Sequence, residues 1–433
     1  MMPFASVLNR VLSLVGGRAI GNLLTLVYTV ILARISTPED FGLLMTGFAW
    51  AMLLSIGLAL NVESGSIRYL VQYRQAAQPG RVAGFLRFNR FVILGMTLGL
   101  AACFGVVRAL GLVDAADPGV QVFALALIAA PVVALTRVYG RHATALGQVL
   151  RGGLPIMVVR PAVICLLVSI VWISGLTPGT TTLMLLMLVA FIVTALVQAI
   201  VLQRTFAFAR EAPAEYGDAR CWLGTGGAMA PLLLMRDNLK HVVVASAGLV
   251  LDPAGVGYVA LAFSIMGLFY FSIKAVDMTL APHLSRALLA QDMGQVARLL
   301  GTAARLKLSI LLAGVLGIAL LGRPALGAFG PDYRASMSPL LILMLIPAAD
   351  ALLGAAQIVL NVTGRQRAVF ASAGVGSALL VAAVALGGWT GGVNGAAAGA
   401  GLSYLVQQMM LRRVSLRETG IETSVAVLWR GSA

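Results

Sequence analysis

Twelve times along this chain an apolar run approaches the ~20 residues that a helix needs to cross a hydrocarbon core of about 30 Å. Windows of ~19 residues place these runs near 11–33, 41–62, 91–110, 119–140, 155–175 and 181–203, and again near 222–249, 255–275, 302–322, 336–360, 367–387 and 391–411. Composition agrees: 60% of the 433 residues are hydrophobic and 11% charged, against about a quarter charged in soluble domains. The expectation is an all-α polytopic membrane protein with twelve transmembrane helices. Its loops are too short to hold a sizeable aqueous catalytic domain. Pro131, Pro155, Pro231 and Pro347 lie inside the runs, where neighbouring helices re-satisfy the backbone groups that proline frees. The first run carries Arg18 and Asn22, exceeds a signal-peptide core and lacks a small-residue cleavage site, so it reads as a retained helix.

Cys103, Cys165 and Cys221 are widely spaced, and no Cys/His cluster has metal-ligand spacing. Neither a metal nor a cofactor is expected. The 31 Lys and Arg outnumber 16 Asp and Glu, but the basic residues are scattered between spans rather than gathered on one aromatic-rich face, which argues against a nucleic-acid partner. Counted loop by loop, 24 basic residues fall on the side of the termini and 4 (Arg34, Arg108, Arg323, Arg334) on the other. Lys274, Arg305 and Lys307 enter that count as loop residues. By the positive-inside rule both termini are cytoplasmic.

Pro38 to Leu44 (PEDFGLL) and Pro253 to Val259 (PAGVGYV) lie 215 residues apart, and at that offset Asp117 meets Asp332. Gly147 in ALGQ loosely echoes Gly364 in VTGR. These coincidences in one register indicate two six-helix halves. The expected domains are 1–210 and 211–415, each a six-helix bundle, followed by a cytoplasmic tail, 416–433. An even number of helices per half relates the halves by a pseudo-twofold axis along the membrane normal. In that plan substrate lies between the halves and access alternates, which suits a transporter better than an enzyme.

Leu32 to Gly42 (LARISTPEDFG) resembles the first loop of the polysaccharide repeat-unit (Wzx-type) flippases, within the multidrug/oligosaccharidyl-lipid/polysaccharide exporter (MOP) superfamily. Ala281 to Ser285 (APHLS), Gly330 to Tyr333 (GPDY) and Asn361 to Arg365 (NVTGR) add to the similarity, which runs over about residues 10 to 415. Thr419 to Ser424 (TGIETS) is similar to the tail of exopolysaccharide exporters of the group. The resemblance implies a MATE-like fold in a bacterial inner membrane. The implied activity is translocation of a polyprenyl-diphosphate-linked oligosaccharide for exopolysaccharide or O-antigen synthesis, without covalent chemistry. Implied partners are membrane lipids and, beside the substrate, a polysaccharide polymerase and chain-length regulator.

Moving a diphosphate head through hydrocarbon calls for fixed cations in a wet cavity, so ionisable residues within spans are candidates by default. With those near the run ends counted among the loops, five remain: Arg18, Arg236, Asp237, Lys240 and Asp350. Arg18 is about 10 Å into the first helix, close enough either to snorkel to the headgroups or to line a cavity; in lipid-flippase members the first helix contributes a cavity arginine. Arg236 and Lys240 are four apart on one helical face, roughly 21 Å along their helix, and repel unless an anion lies between them. The alternative is that Asp237 neutralises them within a broken stretch between half-helices. Arg18 displaced by the repeat offset falls at 233, one turn from Arg236. Asp350, with Asp237, is a candidate for ion coupling; equally, Asp350 is a counter-ion to Arg236 or Lys240, since a lone carboxylate is a poor sodium site. Arg68 stands at the cytoplasmic mouth as a fourth head-group candidate or as a solvated loop residue.

With the cytoplasm negative, outward movement of two uncompensated negative charges gains roughly 4 to 5 kcal/mol per 100 mV, so proton coupling is permitted but not required. A multidrug/toxin cation antiporter of the same fold is one rival, and predicts an acidic cavity. A membrane glycosyltransferase or ligase is another, and needs a longer outer loop than this chain offers. The peptidoglycan-precursor flippase resembles the chain but has two further helices.

Overall fold

The computed structural model describes residues 4–210 and 212–430. It is helical throughout, with no strand among the described residues. The chain forms two compact units, Met1–Ala230 and Pro231–Ala433. Among the described residues ten helices are long and apolar enough to cross a membrane by length and composition, and the protein is a multi-pass membrane protein.

Unit 1 comprises α1 (Phe4–Ile35), α2 (Pro38–Leu58), the short amphipathic α3 (Ser66–Gln75), α4 (Pro79–Ala109), α5 (Pro118–Ala145), α6 (Val149–Leu154), α7 (Arg160–Ile173), α8 (Thr180–Leu202) and α9 (Ala207–Arg210). The helix α10 (Ala219–Asp237) crosses from unit 1 into unit 2. A π-helical turn, Pro155–Val159, joins α6 to α7, and Arg160 N–H reaches back to the Pro155 carbonyl. Pro161 cannot donate to an i−4 carbonyl, and the wider turn absorbs that loss. Buried α2 packs on α5 and α8, whereas α4 turns Phe91, Leu94 and Leu98 outward, each more than half exposed. Water would oppose such a stripe; lipid does not.

Unit 2 continues with α11 (Leu239–Ala247), α12 (Pro253–Leu289), α13 (Met293–Gly327), α14 (Met337–Leu343), α15 (Leu345–Leu353), α16 (Ala356–Val362), α17 (Gln366–Thr419) and α18 (Val427–Arg430). Two features reduce the twelve expected spans to ten continuous ones. The seventh span is broken at Asn238 (φ −127°, ψ 15°) into α10 and α11. The last two spans run together as α17, bent at Gly391 and Gly392.

The units share local devices at or within two residues of the repeat spacing. Pro38 and Pro253 both stand in the first turn of a helix, after extended caps at Thr37 and Asp252, where a missing N–H costs nothing. Gly147 (φ +81°) follows α5 and Gly364 (φ +77°) follows α16. At both places the next N–H, that of Gln148 or Arg365, closes on a carbonyl five residues back at 2.8 Å. This left-handed helix stop favours glycine.

After α17 the chain doubles back. Glu422, Thr423 and Ser424 are buried, Arg412 grips Glu422 with two bonds of 2.7 and 2.9 Å, and Val425 N–H and Thr423 Oγ1 donate to the carbonyls of Leu352 and Leu353. The tail thus satisfies acceptors that the break between α15 and α16 leaves open. The Arg412 bonds hold the Glu422 carboxyl down to about 2, from an ordinary 4.5. Its folded value is depressed, so the stabilisation is complete above about pH 4.5 and is lost as pH falls toward 2. Amide exchange at residues 421–425 is expected to accelerate across that window, and Glu422→Gln to remove the dependence.

Candidate functional site

Ionisable residues within spans are more numerous than five, and the largest group includes two lysines that the loop count had taken from the edges of the apolar windows. The windows ended their spans near 275 and began them near 302, yet α12 and α13 run on for 37 and 35 residues. Lys274 and Lys307 are therefore helical residues, not loop residues as counted. Removing both, and Arg305 of the same helix α13, leaves 21 against 4, which preserves the charge asymmetry.

Lys274 and Asp277 lie three apart on one face of α12, with Tyr270 one turn earlier. Lys307 comes from α13, Asp350 from α15 and Tyr404 from α17. Lys274 Nζ donates to Asp350 Oδ1 at 2.7 Å and lies 3.5 Å from Asp277 Oδ2. Lys307 Nζ lies 2.6 Å from Asp277 Oδ1 and 3.8 Å from Asp350 Oδ2. Each lysine thus bridges both aspartates in a closed, charge-neutral ring. Tyr404 OH donates to Asp350 Oδ1 at 3.5 Å and its oxygen is 2.9 Å from that of Tyr270. Tyr270 also presents its ring face to Lys274, 5.4 Å from the ammonium. The side chains of Lys307 and Asp350 are 1% and 2% exposed, that of Lys274 30%. Lys274 is the most open of the four, ahead of Asp277 at 14%.

Asp350 accordingly has Lys274 and Lys307 as counter-ions, and among the described residues no ion pair joins it to Lys240. Two ammonium groups already fill the positions that an added cation would take on the two carboxylates.

Lys240 Nζ donates to Ser264 Oγ at 2.7 Å, and that hydroxyl passes its own hydrogen to the Ala260 carbonyl. No carboxylate pairs with Lys240 among the described residues. Arg236 and Lys240 do not share one helical face, because the helix breaks at Asn238 between them, where Asn238 Nδ2 donates to the Leu233 carbonyl. The Arg236 side chain lies outside the described residues. Asp237 is exposed at the break.

In unit 1, Arg18 is exposed on α1. Arg68 is exposed on α3 with its guanidinium 5.5 Å from the Tyr69 ring centre. Tyr69 belongs to an aromatic cluster with Tyr73, Phe85 and Trp222. A buried pair escaped the sequence reading here as well: Arg137 Nη2 lies 2.9 Å from Glu63 Oε1 and donates to the Ser55 carbonyl at 3.0 Å. Glu63 is 1% exposed, on the 3₁₀ turn that follows α2. Its signal was a carboxylate directly after an apolar run.

No protein-family model matches the chain, and no curated protein matches it. Solved structures do. An inward-facing multidrug resistance MATE family transporter of the MOP superfamily superposes with a TM-score of 0.72 at 16% identity, covering 96% of both chains. The fold is MATE-like. The lipid II flippase MurJ, in an inward closed conformation, gives 0.68 at 12% identity over 96% of this chain and 90% of that one. A MATE protein in its bent conformation gives 0.58 at 16% identity, over 97% and 95%.

Proposed function

We propose that this protein is a flippase that carries a polyprenyl-diphosphate-linked oligosaccharide across a bacterial inner membrane, as the resemblance to Wzx-type flippases implies. Among solved structures of this fold, one is named a lipid II flippase and others multidrug transporters. The observation that carries the choice is the charge state of the spans in unit 2. Asp277 and Asp350 are neutralised by Lys274 and Lys307, while among the described residues the Lys240 ammonium is held by a neutral hydroxyl alone. A cation exporter needs carboxylates available to its cargo; a diphosphate carrier needs available cations. In unit 2 the proposed head-group contacts are Lys240 and Arg236; in unit 1, taken by itself, they are Arg18 and Arg68. Full pairing of Asp350 favours a structural counter-ion over a coupling carboxylate, and the membrane potential alone supplies a driving force.

Lys240→Met keeps the apolar stem and removes the charge. Export of surface polysaccharide is expected to fall on the order of ten- to a hundredfold, the worth of a charge-assisted bond to phosphate, at unchanged membrane abundance. Wild-type output from Lys240→Met combined with Arg236→Met would remove this site.

A further inference from the structure

One cleft in unit 2, of about 970 Å³, lies between the end of α13 and the start of α14, away from the ring of four charges. Its lining divides by chemistry. Arg323, on α13, and Arg334, on the 3₁₀ turn Pro331–Ser336, supply two guanidinium groups, with the Ser338 hydroxyl nearby. Met337 and Leu341, one turn apart on α14, and Ile342 beside them supply the apolar part. Leu341 is 44% exposed, and the outer face of α13 continues the apolar surface through Leu312, Leu316 and Leu320, each at least 60% exposed. Both arginines are exposed, and neither forms an ion pair among the described residues. Asp332, two residues before Arg334, is exposed and also leaves it unpaired.

The charge count gives further weight to this cleft. Only four basic residues fall on the sparsely charged side of the membrane, and two of them meet here. Arginine at helix ends on that side opposes the positive-inside bias, and two guanidinium groups lining one cleft repel unless an anion lies between them. The apolar surface below them excludes a purely aqueous anion as the matching ligand. We propose that Arg323 and Arg334 form a binding site for the phosphate headgroup of an anionic glycerophospholipid, with the first acyl segment against Met337 and Leu341. The guanidinium fork suits phosphate oxygens in two-point contact. This site is independent of whatever the protein transports.

The test is native mass spectrometry of the purified full chain in detergent, titrated with phosphatidylglycerol, with phosphatidylcholine and with inorganic phosphate. The wild type is expected to retain phosphatidylglycerol in preference to phosphatidylcholine, and inorganic phosphate not to displace it. Arg323→Gln with Arg334→Gln is expected to weaken phosphatidylglycerol binding on the order of twentyfold, a few-fold for each charge at a membrane surface. Both residues are exposed, so the gel-filtration profile and unfolding midpoint are expected to hold. Leu341→Ser should lower phosphatidylglycerol retention with both charges intact. Equal retention by the double glutamine variant, equal retention of phosphatidylcholine by the wild type, or displacement by inorganic phosphate would each overturn the proposal.

Discussion

Lys307→Ala is expected to destabilise the protein by about 3–5 kcal/mol, the cost of breaking a buried ion pair from one side. Lys307 is the most enclosed member of the ring, 1% exposed and 2.6 Å from Asp277. Without it two carboxylates share Lys274, at 2.7 and 3.5 Å, and the interior holds a net negative charge. Lys274→Ala also leaves one lysine for two aspartates, but Lys274 is 30% exposed and water can screen the gap. Its cost is expected to be smaller. Replacing the Lys307–Asp277 pair as a unit, by Lys307→Met with Asp277→Leu, should recover most of the loss, since apolar groups of similar volume often substitute for a buried pair without penalty. Unfolding in detergent, followed by loss of the gel-filtration peak against temperature, reads all three variants. A stable Lys307→Ala would mean that the ring contributes little to the fold.

The second large effect is expected at Gly354, where φ is +82° and ψ −150°. Residues with a side chain avoid this region at a cost of order 1–3 kcal/mol. A Cβ there would also overlap the Thr423 carbonyl. Gly354→Ala therefore strains the α15–α16 junction and evicts the tail, with loss of the bonds from Val425 to Leu352 and from Thr423 to Leu353. The total is expected to be about 3 kcal/mol or more, from strain and at least one net hydrogen bond. Deleting residues 421–433 in the alanine variant removes the overlap but not the strain, and should restore only part of the loss. Asp350 feels this junction directly, because its carbonyl accepts the Gly354 N–H at 3.2 Å.

The fold was legible because its signals are local. Apolar runs mark the spans, Pro38 and Pro253 open helices at the repeat offset, and Gly147 and Gly364 mark helix stops. Even the break near Asn238 showed, as a polar stretch inside an apolar run. The charged ring did not, for two physical reasons. A charge within a few residues of a window's edge reads as a loop residue, so Lys274 and Lys307 were counted with the loops although their helices continue past them. The partner that neutralises Lys274 is Asp350, 76 residues away, and no local pattern reports a pairing over that distance. Lys274 with Asp277 at i,i+3 was the trace available, and such a pair normally reads as a solvated helix end. Reading Asp350 alone left its partner open between Arg236 and Lys240. The tertiary fold supplied different lysines.

Lipid extraction from a strain lacking this protein tests the central claim most directly. An anion carrier predicts that a polyprenyl-diphosphate oligosaccharide accumulates, stays inaccessible to reagents added outside the inner membrane, and reaches the outer face again when the wild-type chain, but not Lys240→Met, is restored. Normal surface polysaccharide with no such lipid, together with hypersensitivity to a broad panel of cationic compounds, would contradict the account and assign the fold to drug export instead.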